Sequence, residues 1–130
     1  MPRTLGRMRE RKDFLRVAGE RRKWVAPSLI LQVAPSDAPE VAGPHAEGRR
    51  IGFTASKKVG NAVARNRAKR RLRAAARALV AEHGLAAHDF VLIARQETGT
   101  IRYAQLLAEL EKALRRLKVW RDGPTAAPGA

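Results

Sequence analysis

The chain has 130 residues, 45% of them hydrophobic, which suits one small domain with a modest core. Lys plus Arg number 27 against 12 Asp plus Glu, a net charge of +15 that points to a polyanionic partner. Cysteine is absent, which excludes disulfides, thiol chemistry and Cys-ligated zinc. No apolar run is long enough to span a bilayer, and the charged N-terminus shows no signal-peptide core, so a cytoplasmic protein with no membrane partner is expected.

Residues 1–10 carry Arg3, Arg7 and Arg9 and read as a basic flexible arm. The segment RKDFLRVAG, 11–19, predicts a short helix, with Asp13 suited to the first turn by the helix dipole and Gly19 to the stop. Its apolar side holds Phe14, Leu15, Val17 and Ala18; Phe14 is either core or a stacking platform at the rim of a groove. Trp24-Val25 and Pro27 lead into a strand over 28–33, SLILQV. Residues 35–49 hold three prolines, two glycines and three acids, and predict a flexible surface loop that its acids keep away from a polyanion. The next strand is 50–55, where Ile51 and Phe53 alternate with small residues. After the basic helix described below, DFVLIA at 89–94 is a strongly apolar, central strand. Thr98-Gly99-Thr100 is a turn expected to cap a last helix over about 102–117, whose apolar face includes Leu106, Leu110 and Leu114. Residues 119–130 read as a disordered tail.

The stretch Lys57–Arg77 organises the rest. It carries nine basic residues and no acid. From Asn61 onward it lacks Pro and Gly and is rich in Ala, Arg and Leu, all good helix formers. Ala68, Leu72, Ala75, Ala76, Leu79 and Val80 recur at helical spacing and form one apolar stripe. Asn66, Arg70, Arg73 and Arg77 share a second face, with Arg67 and Arg71 on the far flank. The first turn, near Gly60-Asn61, offers free backbone N–H groups to phosphate. An ordinary solvated helix would mix in Glu; this one does not.

Catalytic constellations are scarce. His45, His83 and His88 are scattered and lack the spacing of a helical metal pair. No carboxylate cluster for two metals is visible, and Lys57-Lys58-Val59-Gly60 lacks P-loop spacing. The residues describe a binding protein, with no catalytic and no metal-ligating side chain expected.

SKKVGNAVARNRAKRRLR, residues 56–73, resembles the signature of the bacterial ribonuclease P protein subunit, centred on Arg65-Asn66-Arg67. Weaker similarity runs from about Met8 to Leu117. The element order predicts a single α+β domain over 11–118, an α/β sandwich of order α-β-β-β-α-β-α with helices on one face of the sheet; the resemblance implies the same order and adds a left-handed crossover at the basic helix. It also implies function. In that ribonucleoprotein the RNA performs Mg²⁺-dependent removal of the 5′ leader of precursor tRNA, with Mg²⁺ bound mainly by the RNA. The protein, one monomer per catalytic RNA, binds that RNA and the leader. By position, Lys57, Lys58, Asn61, Arg65, Asn66, Arg67, Lys69, Arg70 and Arg73 would face the catalytic RNA. Arg11, Lys12, Phe14 and Phe53 would line the leader cleft, between the first helix and an open sheet face. The sequence departs from the family where Ala18 and Gln32 replace aromatics, leaving Trp24 or Arg planes as substitutes. A structural RNA binder such as a ribosomal protein is the alternative reading that charge and size allow. A DNA-binding module lacks a helix-turn-helix or a base-reading set. A membrane-surface role conflicts with the use of Leu72 and Leu79 in the core.

Overall fold

The apolar run at the centre of the sheet is strand β5, His88–Ala94. Side chains alternate along a strand, so Phe90, Leu92 and Ala94 point to one face and Asp89, Val91 and Ile93 to the other. Helices cover both faces, which is why the segment is apolar throughout. The computed structural model describes residues 5–37 and 48–122. Its other strands are β1, Leu5–Arg7; β2, Lys23–Val25; β3, Leu29–Pro35; and β4, Arg49–Thr54. The sheet order is β1-β4-β5-β3-β2, with β1, β4 and β5 mutually parallel and β3 and β2 antiparallel. The helices are α1, Arg11–Gly19; α2, Ala62–His83; and α3, Tyr103–Arg116. Short 3-10 turns at Lys57–Val59 and Gln96–Gly99 precede α2 and α3.

The larger core lies under α2 and α3. Ala68, Leu72, Ala75, Ala76 and Val80 of α2, the predicted stripe, meet Leu106, Leu110, Ala113 and Leu114 of α3 over Leu29, Leu31, Val33, Ile51, Phe90 and Leu92. Full burial of each Leu contributes about 1.5–3 kcal/mol. The smaller core, on the opposite face, gathers Met8, Val17, Ala34 and Val91 beneath α1, with Phe14 and Ile93 partly buried against it. Helices therefore occupy both faces, not one: α1 is too short to cover more than part of its side.

Salt links hold α1 as much as apolar packing does. Arg50 of β4 meets the buried Asp89 of β5 through two bonds, Nε to Oδ1 at 3.0 Å and Nη2 to Oδ2 at 2.8 Å. Arg16 of α1 also donates to Asp89, and to the Pro35 carbonyl at 2.9 Å. Asp13 does not merely face the helix dipole; its carboxylate turns inward to Arg50 at 3.3 Å. Burial alone would push the Asp89 carboxyl up, but hydrogen bonds from Arg50, Ser36 and Arg16 outweigh it and hold the group below the usual carboxylate range.

Three expectations change. Leu5–Arg7, expected within a flexible arm over 1–10, is a strand: it pairs with Arg49–Ile51, and Met8 behind it is buried and donates its N–H to the Ile51 carbonyl at 2.8 Å. Residues 1–4 lie outside the described residues. The tail expected from 119 onward begins inside the fold. Lys118 in the left-handed region closes a Schellman turn, Val119 N–H to Leu114 carbonyl at 2.9 Å, which returns Val119 to the core and Trp120 to a bridge with Gly84. Residues 123–130 lie outside the described residues, as do 38–47 of the expected loop. The ends of that loop are held, Ala87 N–H to Gly48 carbonyl at 2.8 Å and Ser36 N–H to Ala87 carbonyl at 2.9 Å. Finally, Thr98 does not cap α3. It caps its own turn by accepting from the Arg95 N–H at 2.8 Å, and its hydroxyl donates to the Ser28 carbonyl of the segment entering β3. Arg102 stands at the α3 N-cap without a side-chain bond.

Candidate nucleic-acid interface

The loop between β4 and α2 is shaped by short-range bonds. Ser56 Oγ accepts from the Lys58 N–H at 3.3 Å, and Asn61 Oδ1 caps α2 by accepting from the Ala64 N–H at 2.9 Å. Gly60 has φ +144°, and a Cβ there would stand 2.9 Å from the Ala64 Cβ, so only glycine fits. Arg65 folds back and donates to the Gly60 carbonyl at 2.9 Å. This arrangement leaves Lys57 and Lys58 exposed beside the first turn of α2. Along the helix, Asn66, Arg67, Arg70 and Arg77 are exposed, and Lys69 and Arg73 partly so. None of these cations has a carboxylate partner among the described residues. Arg71 differs: it donates to the Thr98 carbonyl at 2.7 Å and to the Ile101 carbonyl, tying α2 to the start of α3.

A second feature lies on the α1 face. Three rows of side chains cross the sheet there. The first, Arg50-Asp89-Ala34, is under α1; the second is Gly52-Val91-Gln32-Lys23; the third, Thr54-Ile93-Ile30-Val25, is half-buried to exposed, with Ile93 at the margin of the smaller core. Val25 is 49% exposed. Phe14 sets the Cε1–Cζ edge of its ring against Gly52: a Cβ at Gly52 would fall 2.5 Å from both atoms. The half-buried ring then faces a recess of Arg7, Met8, Arg9, Phe53 and Thr54. A groove with Lys58 and Arg95 at its rim continues over Ile30 and Ile93.

The family model for ribonuclease P matches residues 1–118. The chain belongs to the bacterial ribonuclease P protein family. It is 50% identical over 117 residues to the ribonuclease P protein component of Paramagnetospirillum magneticum, covering 90% of this chain and 86% of that one. It is 50% identical over 111 residues to that of Ruegeria pomeroyi, covering 85% and 84%. A solved ribonuclease P protein from Staphylococcus aureus superposes with a TM-score of 0.68 at 27% identity, covering 88% of this chain and 97% of that one. That of Thermotoga maritima shares the fold, with a TM-score of 0.67 at 23% identity, covering 85% and 96%.

Measured against the ribonuclease P signature, the predicted residues divide by task. Asn66, Arg67, Lys69, Arg70 and Arg73 lie on the solvent side of α2 and Lys57 and Lys58 on the 3-10 turn before it, while Arg65 and Asn61 build the turn that joins them. Of the residues expected to line the cleft, Arg11 and Lys12 are exposed on α1, Lys12 beside Glu10 at 3.5 Å, and neither lines the recess beside Phe14. Phe53 sits on the α2 side of the sheet by strand parity, packed against the main core. It reaches the recess only because β1 ends opposite Ile51 and leaves the β4 edge open. Trp24 cannot substitute for the missing aromatics. It pairs with Leu31 and faces α3, on the opposite side of the sheet from Ala18 and Gln32. Ala18 and Gln32 line a different recess from Phe14, together with Arg21, Arg22 and Lys23. Arg7, Arg9 and the row Thr54-Ile93-Ile30-Val25 escaped the sequence reading. A glycine inside a strand pattern, Gly52, was the available signal of a close approach.

His83 and His88 both make contacts within the fold. His83 stacks on Trp120 with centroids 4.1 Å apart, and His88 Nδ1 lies 3.0 Å from the Ala86 carbonyl; His45 lies outside the described residues. Asp13, Asp37 and Asp89 converge but are bound to Arg16 and Arg50, and no group of three His, Asp or Glu among the described residues is arranged to hold a metal. Among the described residues no helix is long and apolar enough to cross a membrane.

Proposed function

We propose that this chain is the RNA-binding subunit of a tRNA 5′-processing ribonucleoprotein in the cytoplasm, one copy per catalytic RNA. The face of α2 from Lys57 to Arg77 binds the catalytic RNA. The recess beside Phe14 and the open row Thr54-Ile93-Ile30-Val25 take the single-stranded 5′ leader of precursor tRNA. The observation that carries this reading is the density of cations on α2 without carboxylate partners among the described residues, since cations already paired would gain little from phosphate. The leader floor is aliphatic with one ring, which suits sequence-tolerant contact rather than base reading.

Hydrolysis belongs to the RNA. In support, the carboxylates that converge among the described residues, Asp13, Asp37 and Asp89, are held by guanidiniums, and the proposed place for Mg²⁺ is mainly on RNA phosphates. What the protein supplies is binding and charge compensation. The test is reconstitution. Purified protein alone should not cut precursor tRNA, while addition of the cognate RNA with Mg²⁺ should give cleavage at the mature 5′ end. Cleavage there by RNA-free protein refutes the assignment.

A further inference from the structure

A second concentration of charge lies at the other end of the helix pair from the Ser56–Gly60 loop, where the turns after α1 and α3 meet. The Arg22 guanidinium joins them by donating to the Leu117 carbonyl at 2.7 Å. Each turn places a residue just past its helix in the left-handed region, Arg21 at φ 58° and Lys118 at φ 61°. Glycine takes that conformation without a Cβ penalty; here both residues are exposed cations. Ala87, at φ 61°, is uncharged and closes the base of the 35–49 loop. Beside the two turns, guanidiniums lie over indoles: Arg115 at 4.6 Å from the Trp120 centroid and Arg116 at 5.5 Å from that of Trp24. Such stacking holds a cation in place, so less side-chain freedom is lost on binding. Arg115 also meets Glu111 at 2.9 Å, whereas Arg21, Lys23, Arg116 and Lys118 have no carboxylate partner among the described residues.

Compensation of helix dipoles is already served by Arg16, Arg115 and Arg116 within the last turns. It does not require cations at two positions that favour glycine. We infer that this end of the fold is a second polyanion surface that takes the phosphodiester backbone of folded RNA, separate from the α2 face and the Phe14 recess. Separate cations on short turns suit a backbone that offers an anion at every residue, without the shape match a protein partner needs. The inference rests on the RNA-binding reading above.

The test compares Arg21→Gly with Lys118→Gly, combined in the full chain, against Arg70→Ala with Arg73→Ala. Each protein is titrated with the cognate ribonuclease P RNA over a salt series, then the assembled complex with precursor tRNA. The glycine variant should melt no lower than the parent, because glycine accepts positive φ. It should bind RNA about threefold to tenfold more weakly, with a salt slope shallower by roughly 1.4–1.8 for two lost contacts. Loss at the first step assigns the surface to the catalytic RNA; loss only at the second assigns it to tRNA. Unchanged affinity and slope at both steps overturn the second surface, whether or not the melting temperature falls, and leave an acidic protein as the partner to seek. If the α2 variant also binds like the parent, the RNA-binding reading falls with it.

Discussion

Gly52→Ala should change sign with its partner. In the parent protein the added methyl would sit 2.5 Å from two ring carbons of Phe14 and 3.4 Å from the Met8 Cβ. The β4 backbone is fixed by β5, and by β1 up to Ile51, so the ring must leave. It gives up its packing on the smaller core, which we put at about 1–2 kcal/mol from partial loss of a Phe burial worth about 1.5–3 kcal/mol. For a domain of this size that lowers Tm by roughly 3–8 °C. With Phe14→Ala already present, the obstacle is gone. Alanine in a strand then gains about 0.5–1 kcal/mol over glycine by costing less backbone entropy. That gain is present in both backgrounds and cancels, so the coupling across the cycle is the cost of displacing the ring, about 1–2 kcal/mol. Urea melts of the parent, both single variants and the double variant measure it. A Gly52→Ala effect of the same sign and size in both backgrounds would refute the account of Phe14 set against Gly52.

Phe14→Ala in the assembled enzyme should weaken precursor tRNA with a leader of several nucleotides by about fivefold to tenfold, or about 1–1.4 kcal/mol, and leave leaderless tRNA unaffected in parallel binding titrations. Arg70→Ala with Arg73→Ala should keep the parental melting curve while the salt slope for the catalytic RNA becomes shallower by roughly 0.7–0.9 per lost contact. Asp89→Asn should cost about 3–5 kcal/mol by leaving Arg16 and Arg50 short of a carboxylate. Because the folded carboxyl lies below its unfolded value of about 3.9, its contribution is present above that pH and fades as pH falls through the folded value, so the variant should show a flatter acid limb in melts from pH 7 to 3. Ending the chain at Leu117 should cost about 2–4 kcal/mol from the burial of Val119 and the Trp120–His83 stack, read by calorimetry.

What could be read in the sequence was whatever repeats within a few residues. The stripe from Ala68 to Val80 and the acid-free run beside it needed only the helical period, and β5 announced itself because both its faces are buried. What depends on distant partners stayed hidden. Leu5–Arg7 has one apolar residue and becomes a strand only because β4 has an open edge. Asp13 looks like a helix-start residue until Arg50 arrives across the sheet. The side of the sheet on which Trp24 lies follows from its register with Leu31, which periodicity does not reveal. Val119 and Trp120 sit in a polar stretch, and only the turn at Lys118 brings them home.

The position of β5 also sets the order in which the chain can become structured. β4 and β3 never touch; each pairs with β5. Before His88–Ala94 has left the ribosome, the chain can offer only a β2–β3 hairpin and a three-residue β1–β4 pairing, neither of which stands alone in water. Helix α2 emerges in this interval with its apolar stripe uncovered and its cations already displayed. Folding must wait for distant pairings and so should be slow and all-or-none, with no stable fragment ending before Ala94. A nascent chain of this kind displays the acid-free run Lys57–Arg77 as an unfolded segment before it displays it as part of a domain.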